Sequence, residues 1–192
     1  MRPPRNFVQG DYYHLICRGN NQNIFLGNKD YIRFLENLDN YSGKFSIKIF
    51  SFALMPNHVH LLVRQDSEIP ISKFMQVLTT AHANYFNLKH RRTGHLFESR
   101  FKHIGVETDE YLVHLSRYIH LNPSSANIVT KPESYPWSSY RTFLKLEALN
   151  FVDRDTVLGY FSSKNPIRDY QEFVESRINY QKDISYQKLL LE

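Results

Sequence analysis

The chain has 192 residues, 42% hydrophobic and 22% charged, a globular usage that excludes a collagen-like repeat or a disordered chain. Its formal net charge of +5 favours a polyanionic partner, and a single cysteine, Cys17, excludes an intrachain disulfide or a cysteine-built zinc site. The polar start and the lack of any run of ~18 apolar residues lead us to expect a cytoplasmic protein with no membrane span.

In chain order, Tyr12 to Arg18 reads as a first strand, followed by a turn region at Gly19 to Asn23. Asn28 or Asp30 then caps a helix to about Tyr41, with Ile32, Leu35 and Leu38 as its apolar face. Phe45 to Leu54 and His58 to Arg64 form a hairpin broken at Pro56-Asn57. Ser72 opens a second helix through about Lys89, presenting Phe74, Val77, Leu78, Ala81 and Tyr85 on one side. Leu96 to Val106 is a fourth strand, and Thr108 caps a helix from Asp109 to about Leu121 that Pro123 stops. Asn165-Pro166 starts a last helix through Gln181. The order β-α-β-β-α-β plus a helix predicts an α+β protein with a ferredoxin-like split βαβ antiparallel sheet. The expected division is a sheet domain over residues 1–140 and a helical C-terminal extension over 141–192.

His58-Val59-His60 is the strongest local chemical signal. Strand alternation sends both imidazoles to one face, either as a metal clamp or as two half-exposed polar side chains. Imidazoles alone suit Zn, Ni or Cu, while an added oxygen ligand with open positions admits Mg²⁺ or Mn²⁺. On the helix from Asp109, Leu112, Leu115 and Ile119 form the apolar stripe, and Tyr118 and Asn122 stack at its edge as i and i+4. Asn122 is equally an oxygen ligand or a helix cap at this point. Tyr111 reads as a core ring, since the residue four positions on is Leu115. His82, His90, His95, His103, His114 and His120 read as surface or structural. Arg91, Arg92, Arg100 and Lys102 form a candidate nucleic-acid track or a solvated loop. Aromatic residues, 15% of the chain, belong mostly to the core, although rings among basic residues also suit stacking on unpaired bases.

Four ordered blocks then carry a family resemblance. Met55-Pro56-Asn57-His58-Val59-His60-Leu61-Leu62 resembles the HUH motif of single-tyrosine transposases. Gly94 to Lys102, Tyr118-Ile119-His120-Leu121-Asn122-Pro123 and Tyr135 to Tyr140 resemble further blocks of that superfamily, most closely its REP-associated branch. The resemblance spans roughly residues 10 to 140. It departs from the pattern at Ser124 to Val129, where relatives often carry Arg-Ala-Gly. It implies a ferredoxin-like fold and a single-stranded DNA substrate folded into hairpins. The implied reaction cuts and rejoins one strand through a 5′-phosphotyrosine. By position it makes Tyr118 the nucleophile and His58, His60 and Asn122 the ligands of Mg²⁺ or Mn²⁺. It makes residues 1–140 the transposase domain of a monomer or homodimer. The alternative is a non-catalytic module that binds single-stranded nucleic acid, because fold alone does not fix function. A phosphodiester hydrolase using metal-bound water, with Tyr118 merely structural, is a third.

Overall fold

A computed structural model describes residues 7–162 and 164–180. Its elements are β1 (Tyr12–Arg18), α1 (Asn28–Phe45), β2 (Ile47–Met55), β3 (His58–Gln65), α2 (Ile71–Lys89), β4 (Lys102–Val106) and α3 (Asp109–Ser125). A 3₁₀ turn (Pro132–Ser134), α4 (Tyr140–Phe143), α5 (Arg154–Leu158) and α6 (Pro166–Glu175) follow. The four strands form one antiparallel sheet in the order β2-β3-β1-β4, the arrangement expected from a ferredoxin-like chain.

Register assigns the two faces. Tyr13, Leu15 and Cys17 stand opposite Val63, Leu61 and Val59, a wholly apolar set covered by the α1–α2 layer. The other face carries Tyr12, His14, Ile16 and Arg18 opposite Arg64, Leu62, His60 and His58. α3 packs across this second face, chiefly on β2. Burying Leu112, Leu115 and Ile119 of α3 against the sheet removes each side chain from water, worth about 1.5–3 kcal/mol apiece. α5 and α6 pack in turn on β2 and α3.

Several element boundaries differ from the sequence reading. α1 is capped at Gly27, with Asp30 in its first turn accepting from the Leu26 and Gly27 amides. Its buried face is Tyr31, Phe34 and Leu38, while Ile32 lies 47% exposed; the aromatic ring at each of the first two positions wins the core over its neighbour. α2 begins at Ile71 after Pro70, and its buried face includes His82 and Phe86 rather than Tyr85. Regular β4 pairing starts only at Lys102; the 96–101 segment meets the end of β1 through the Gly19–Phe97 bridge and the Glu98 amide on the Arg18 carbonyl.

Pro123 does not stop α3. It lies in the last turn, giving up one amide bond, and the helix runs on to Ser125 with Ala126 as its cap. Asn127, with φ 55, then turns the chain away. Asn122 is therefore not the helix cap. Tyr111 is 40% exposed, not a core ring. α6 ends at Glu175; the expected end at Gln181 lies outside the described residues.

Candidate functional site

The β2–β3 turn and the end of β1 are clamped together. The Gly19 amide donates to the Asn57 carbonyl at 2.7 Å, and the Ile24 amide to the Pro56 carbonyl at 2.7 Å. Gly19 is required by this close approach, since a Cβ there would stand 2.2 Å from the Gln22 carbonyl oxygen. The clamp holds Asn57 where its Oδ1 lies 2.7 Å from His58 Nδ1.

His58 and His60 follow on β3, with ring centroids 4.8 Å apart and planes at 85°. His60 is 3% exposed, and its Nδ1 lies 2.9 Å from Nε2 of His14, itself buried on β1. Each imidazole of the pair thus has Nδ1 occupied and Nε2 without a hydrogen-bond partner among the described residues. With Nδ1–H donating to an outer acceptor, Nε2 would be left to ligate, the arrangement a metal-binding histidine needs.

Electrostatics keep these rings neutral. Burial lowers His14 to about 4. Burial, and then the Arg18 guanidinium, lowers His58 to about 4. His60 is lowered well below its ordinary range by burial, then by His58, His14 and Arg18. Neutral imidazoles are ready ligands that need not release a proton.

Above the sheet, the Tyr118 ring of α3 stands edge-on to His60, with centroids 5.8 Å apart and planes at 87°. It stands 6.2 Å from the His14 ring. Tyr118 is 39% exposed, above two buried imidazoles. Asn122, one turn on, donates from Nδ2 to the Tyr118 carbonyl at 2.9 Å, which leaves Oδ1 as the atom it could offer a metal. Among the described residues no hydrogen bond ties Asn122 to either imidazole. Nor does any cluster of three or more His, Cys, Asp or Glu side chains form a metal cage among them. The donor set is two imidazoles with a neutral amide oxygen, which fits a hard divalent ion that keeps open positions.

The basic residues divide. Lys102 lies opposite Ile16, which also faces His60, so it shares a row with the imidazole pair. Arg100 lines a groove of about 1060 Å³ between α2 and the 94–101 segment, with Lys73, Asn84 and Phe101 among its walls. Arg91 and Arg92 stand apart at the end of α2, where Asp30, fully buried, pairs with Lys89 and His90 to anchor that terminus. Arg92 also lies 5.7 Å over the Phe86 ring, so part of its work is packing.

Two site residues escaped the sequence reading. His14 shows no spacing with another histidine, and only the β1–β3 register brings it to His60. Arg18 faces His58 across the same ladder, and no acidic side chain pairs with it among the described residues.

A ferredoxin-like sheet carries an imidazole pair beneath a helix-borne tyrosine, and the family match makes the protein a DNA-processing enzyme. The chain belongs to the family described as transposase IS200 like, which it matches over residues 7–122. It is similar in fold to a solved REP-associated tyrosine transposase bound to a REP hairpin. The TM-score is 0.65 at 14% identity, covering 80% of this chain and 94% of that one. It is also similar to a putative transposase from Deinococcus radiodurans, at 20% identity and a TM-score of 0.44, over 62% of this chain and 95% of that one. No curated protein matches the sequence. Among the described residues no helix is long and apolar enough to cross a membrane.

Proposed function

We propose that this transposase cuts and rejoins one strand of single-stranded DNA beside a hairpin, with residues 1–140 as the cutting domain and Tyr118 as its nucleophile. The observation that carries the reading is the Tyr118 ring, 39% exposed, standing 5.8 Å from the buried His60. The Tyr118 oxygen bonds to the scissile phosphorus while the P–O3′ bond breaks. The phenolic proton passes to water or a phosphate oxygen, the departing 3′-oxygen takes up a proton, and the protein retains a 5′-phosphotyrosine. One phosphodiester replaces another, so rejoining reverses the step without an energy source.

His58, His60 and Asn122 would hold Mg²⁺ or Mn²⁺, which when bound supplies charge to a non-bridging phosphate oxygen. Asn57 and His14 hold the two rings in register for that role. Arg18 and Lys102 flank the cleft and draw the backbone in. Arg100 lines the groove beside α2, while Arg91 and Arg92 extend the basic track to the helix end. The hairpin is favoured by the fold shared with a protein bound to one. A stiff duplex would fit the cleft poorly, whereas an unpaired flank can thread beneath α3.

The test is incubation of the protein and Mn²⁺ with a labelled hairpin carrying single-stranded flanks from repeats next to its gene, read on a denaturing gel. A protein–DNA adduct that survives denaturation is expected. A cut strand with no adduct would place the chemistry with water instead of Tyr118, and binding without cutting would leave a binding module.

A further inference from the structure

We propose that Tyr170 of α6, outside the segment that matches the family, is a positioning residue for strand cutting: through His120 it fixes the roll of α3 and so the place of Tyr118 and Asn122 over the His58–His60 pair. The proposal rests on the roles of Tyr118 and Asn122 given above.

Residues two apart on an α-helix point about 200° away from one another. His120 therefore projects from the side of α3 opposite Tyr118 and Asn122, into the protein, where it is fully buried. Both of its ring nitrogens are engaged. Nδ1 lies 2.7 Å from the Tyr170 hydroxyl, and Nε2 lies 2.8 Å from Ser139 Oγ. The Ser139 oxygen accepts from the Phe52 amide of β2 at 2.8 Å, and the next residue, Ala53, stands opposite His60 in the sheet. At the other end the Tyr170 hydroxyl lies 3.0 Å from Ser116 Oγ, which donates to the Val113 carbonyl at 2.8 Å.

The contacts run unbroken from Ser139, which also lies 3.3 Å from the Phe52 carbonyl, through His120 and Tyr170 to Ser116, which donates to the α3 backbone. It joins the strand beside His60 to the helix that carries Tyr118. All four side chains are fully buried and each is held at both ends, so the chain acts as a fixed strut. Removing its middle hydroxyl would leave His120 Nδ1 unpaired in a sealed interior and free the helix to rotate. Misplacing reacting groups by about 1 Å costs about 100-fold in rate.

The test uses Tyr170→Phe in the full chain, which keeps the ring packing and removes one oxygen. At a temperature where circular dichroism shows it folded, adduct formation at saturating hairpin DNA and Mn²⁺ should fall about 10- to 100-fold. DNA affinity should stay within about twofold, since α6 lies behind α3 and away from the cleft. Phe161→Leu is the packing control: Phe161 meets the Tyr170 ring edge-on at 5.3 Å without a hydrogen bond. It should lower the melting temperature and leave the rate within about twofold of the parent. Should Tyr170→Phe fail to fold, Ser139→Ala breaks the other His120 bond and must show the same split of rate from affinity.

A Tyr170→Phe rate within twofold of the parent, or an equal fall in Phe161→Leu, would overturn the proposal. A 3-fluorotyrosine placed at position 118 gives a second readout by ¹⁹F NMR. Its resonance should shift in Tyr170→Phe and stay put in Phe161→Leu. If the parent forms no adduct at all, the cutting chemistry fails as a reading, and this resonance alone decides the positioning.

Discussion

His60 and Tyr118 meet edge to face, their ring centroids 5.8 Å apart, although one belongs to a strand and the other to a helix more than fifty residues later. The Tyr118 ring is 39% exposed over a buried imidazole. Tyr118→Phe should therefore fold, bind hairpin DNA within about twofold of the parent, and lose adduct formation by at least about 10³-fold. Tyr111→Phe, two turns earlier on α3, should keep it. Adduct from the Tyr118 variant and none from the Tyr111 variant would reverse the assignment.

The second prediction concerns His14. It touches no proposed substrate atom, but it takes the Nδ1 side of His60 at 2.9 Å. Cutting should stop in EDTA and return with Mn²⁺ or Mg²⁺, and His58→Ala or His60→Ala should abolish it. His14→Ala should instead raise the half-saturating Mn²⁺ concentration about 10- to 100-fold and recover when the metal is in excess. A metal titration of adduct formation checks this; an unaltered midpoint would reduce His14 to packing.

The β-α-β-β-α-β order could be read from the sequence because it rests on local signals: alternation in the strands, caps and breakers between them. The His-x-His pair and the Tyr118–Asn122 spacing are likewise local patterns. His14 and Arg18 were invisible for the opposite reason. A lone histidine in Tyr12–Arg18 carries no spacing, and its meaning comes from the ladder that sets Ile16 against His60. The His120–Tyr170–Ser139 chain joins residues 19 and 50 positions apart, which periodicity does not register. Pro123 misled the boundary of α3, since a proline in a last turn loses only one amide bond.

Acid should unfold the protein earlier than its basic composition suggests. His14 and His58 sit near 4 and His120 near 3, against an ordinary value of 6.5, with His60 lowered as well. Between pH 6.5 and about 4 the unfolded chain therefore binds protons that the folded one refuses. Stability from these rings is complete above pH 6.5 and drains away as pH falls, at about 1.4 kcal/mol per pH unit for each ring held neutral. Melting temperature should be flat from about pH 8 to 7 and drop steeply by pH 5. A flat profile down to pH 5 would contradict the burial of these imidazoles.

Gly19→Ala should be costly out of proportion to one methyl group. The added carbon would stand 2.2 Å from the Gln22 carbonyl and 2.8 Å from Ile24 Cγ2, so the β1 end must move. About 2–4 kcal/mol of destabilisation is expected, measured by urea unfolding. The same shift loosens the Asn57 turn that holds His58, so metal affinity should fall with it. Gly43→Ala, with open space at its Cβ, is the control and should be neutral or stabilising.

The last prediction separates the basic residues by place. Affinity for single-stranded DNA falls with salt because neutralised phosphates release counterions, with a slope of about −0.7 per contact. Replacing Arg91, Arg92 and Arg100 together by Ala should flatten the slope by about 2 and weaken every sequence alike, without changing which hairpin is preferred. Arg100 and Lys102 lie at the groove and on the site face, whereas Arg91 and Arg92 close α2 on the other layer. Arg100→Ala should therefore slow cutting as well as weaken binding, and the Arg91→Ala, Arg92→Ala pair should alter binding alone. Affinity at several salt concentrations, for a hairpin with an unpaired flank and for the same sequence as full duplex, provides the measurement. An unchanged slope in the triple variant would remove these arginines from the DNA path, and equal cutting of the duplex would contradict a cleft that admits only an unpaired strand.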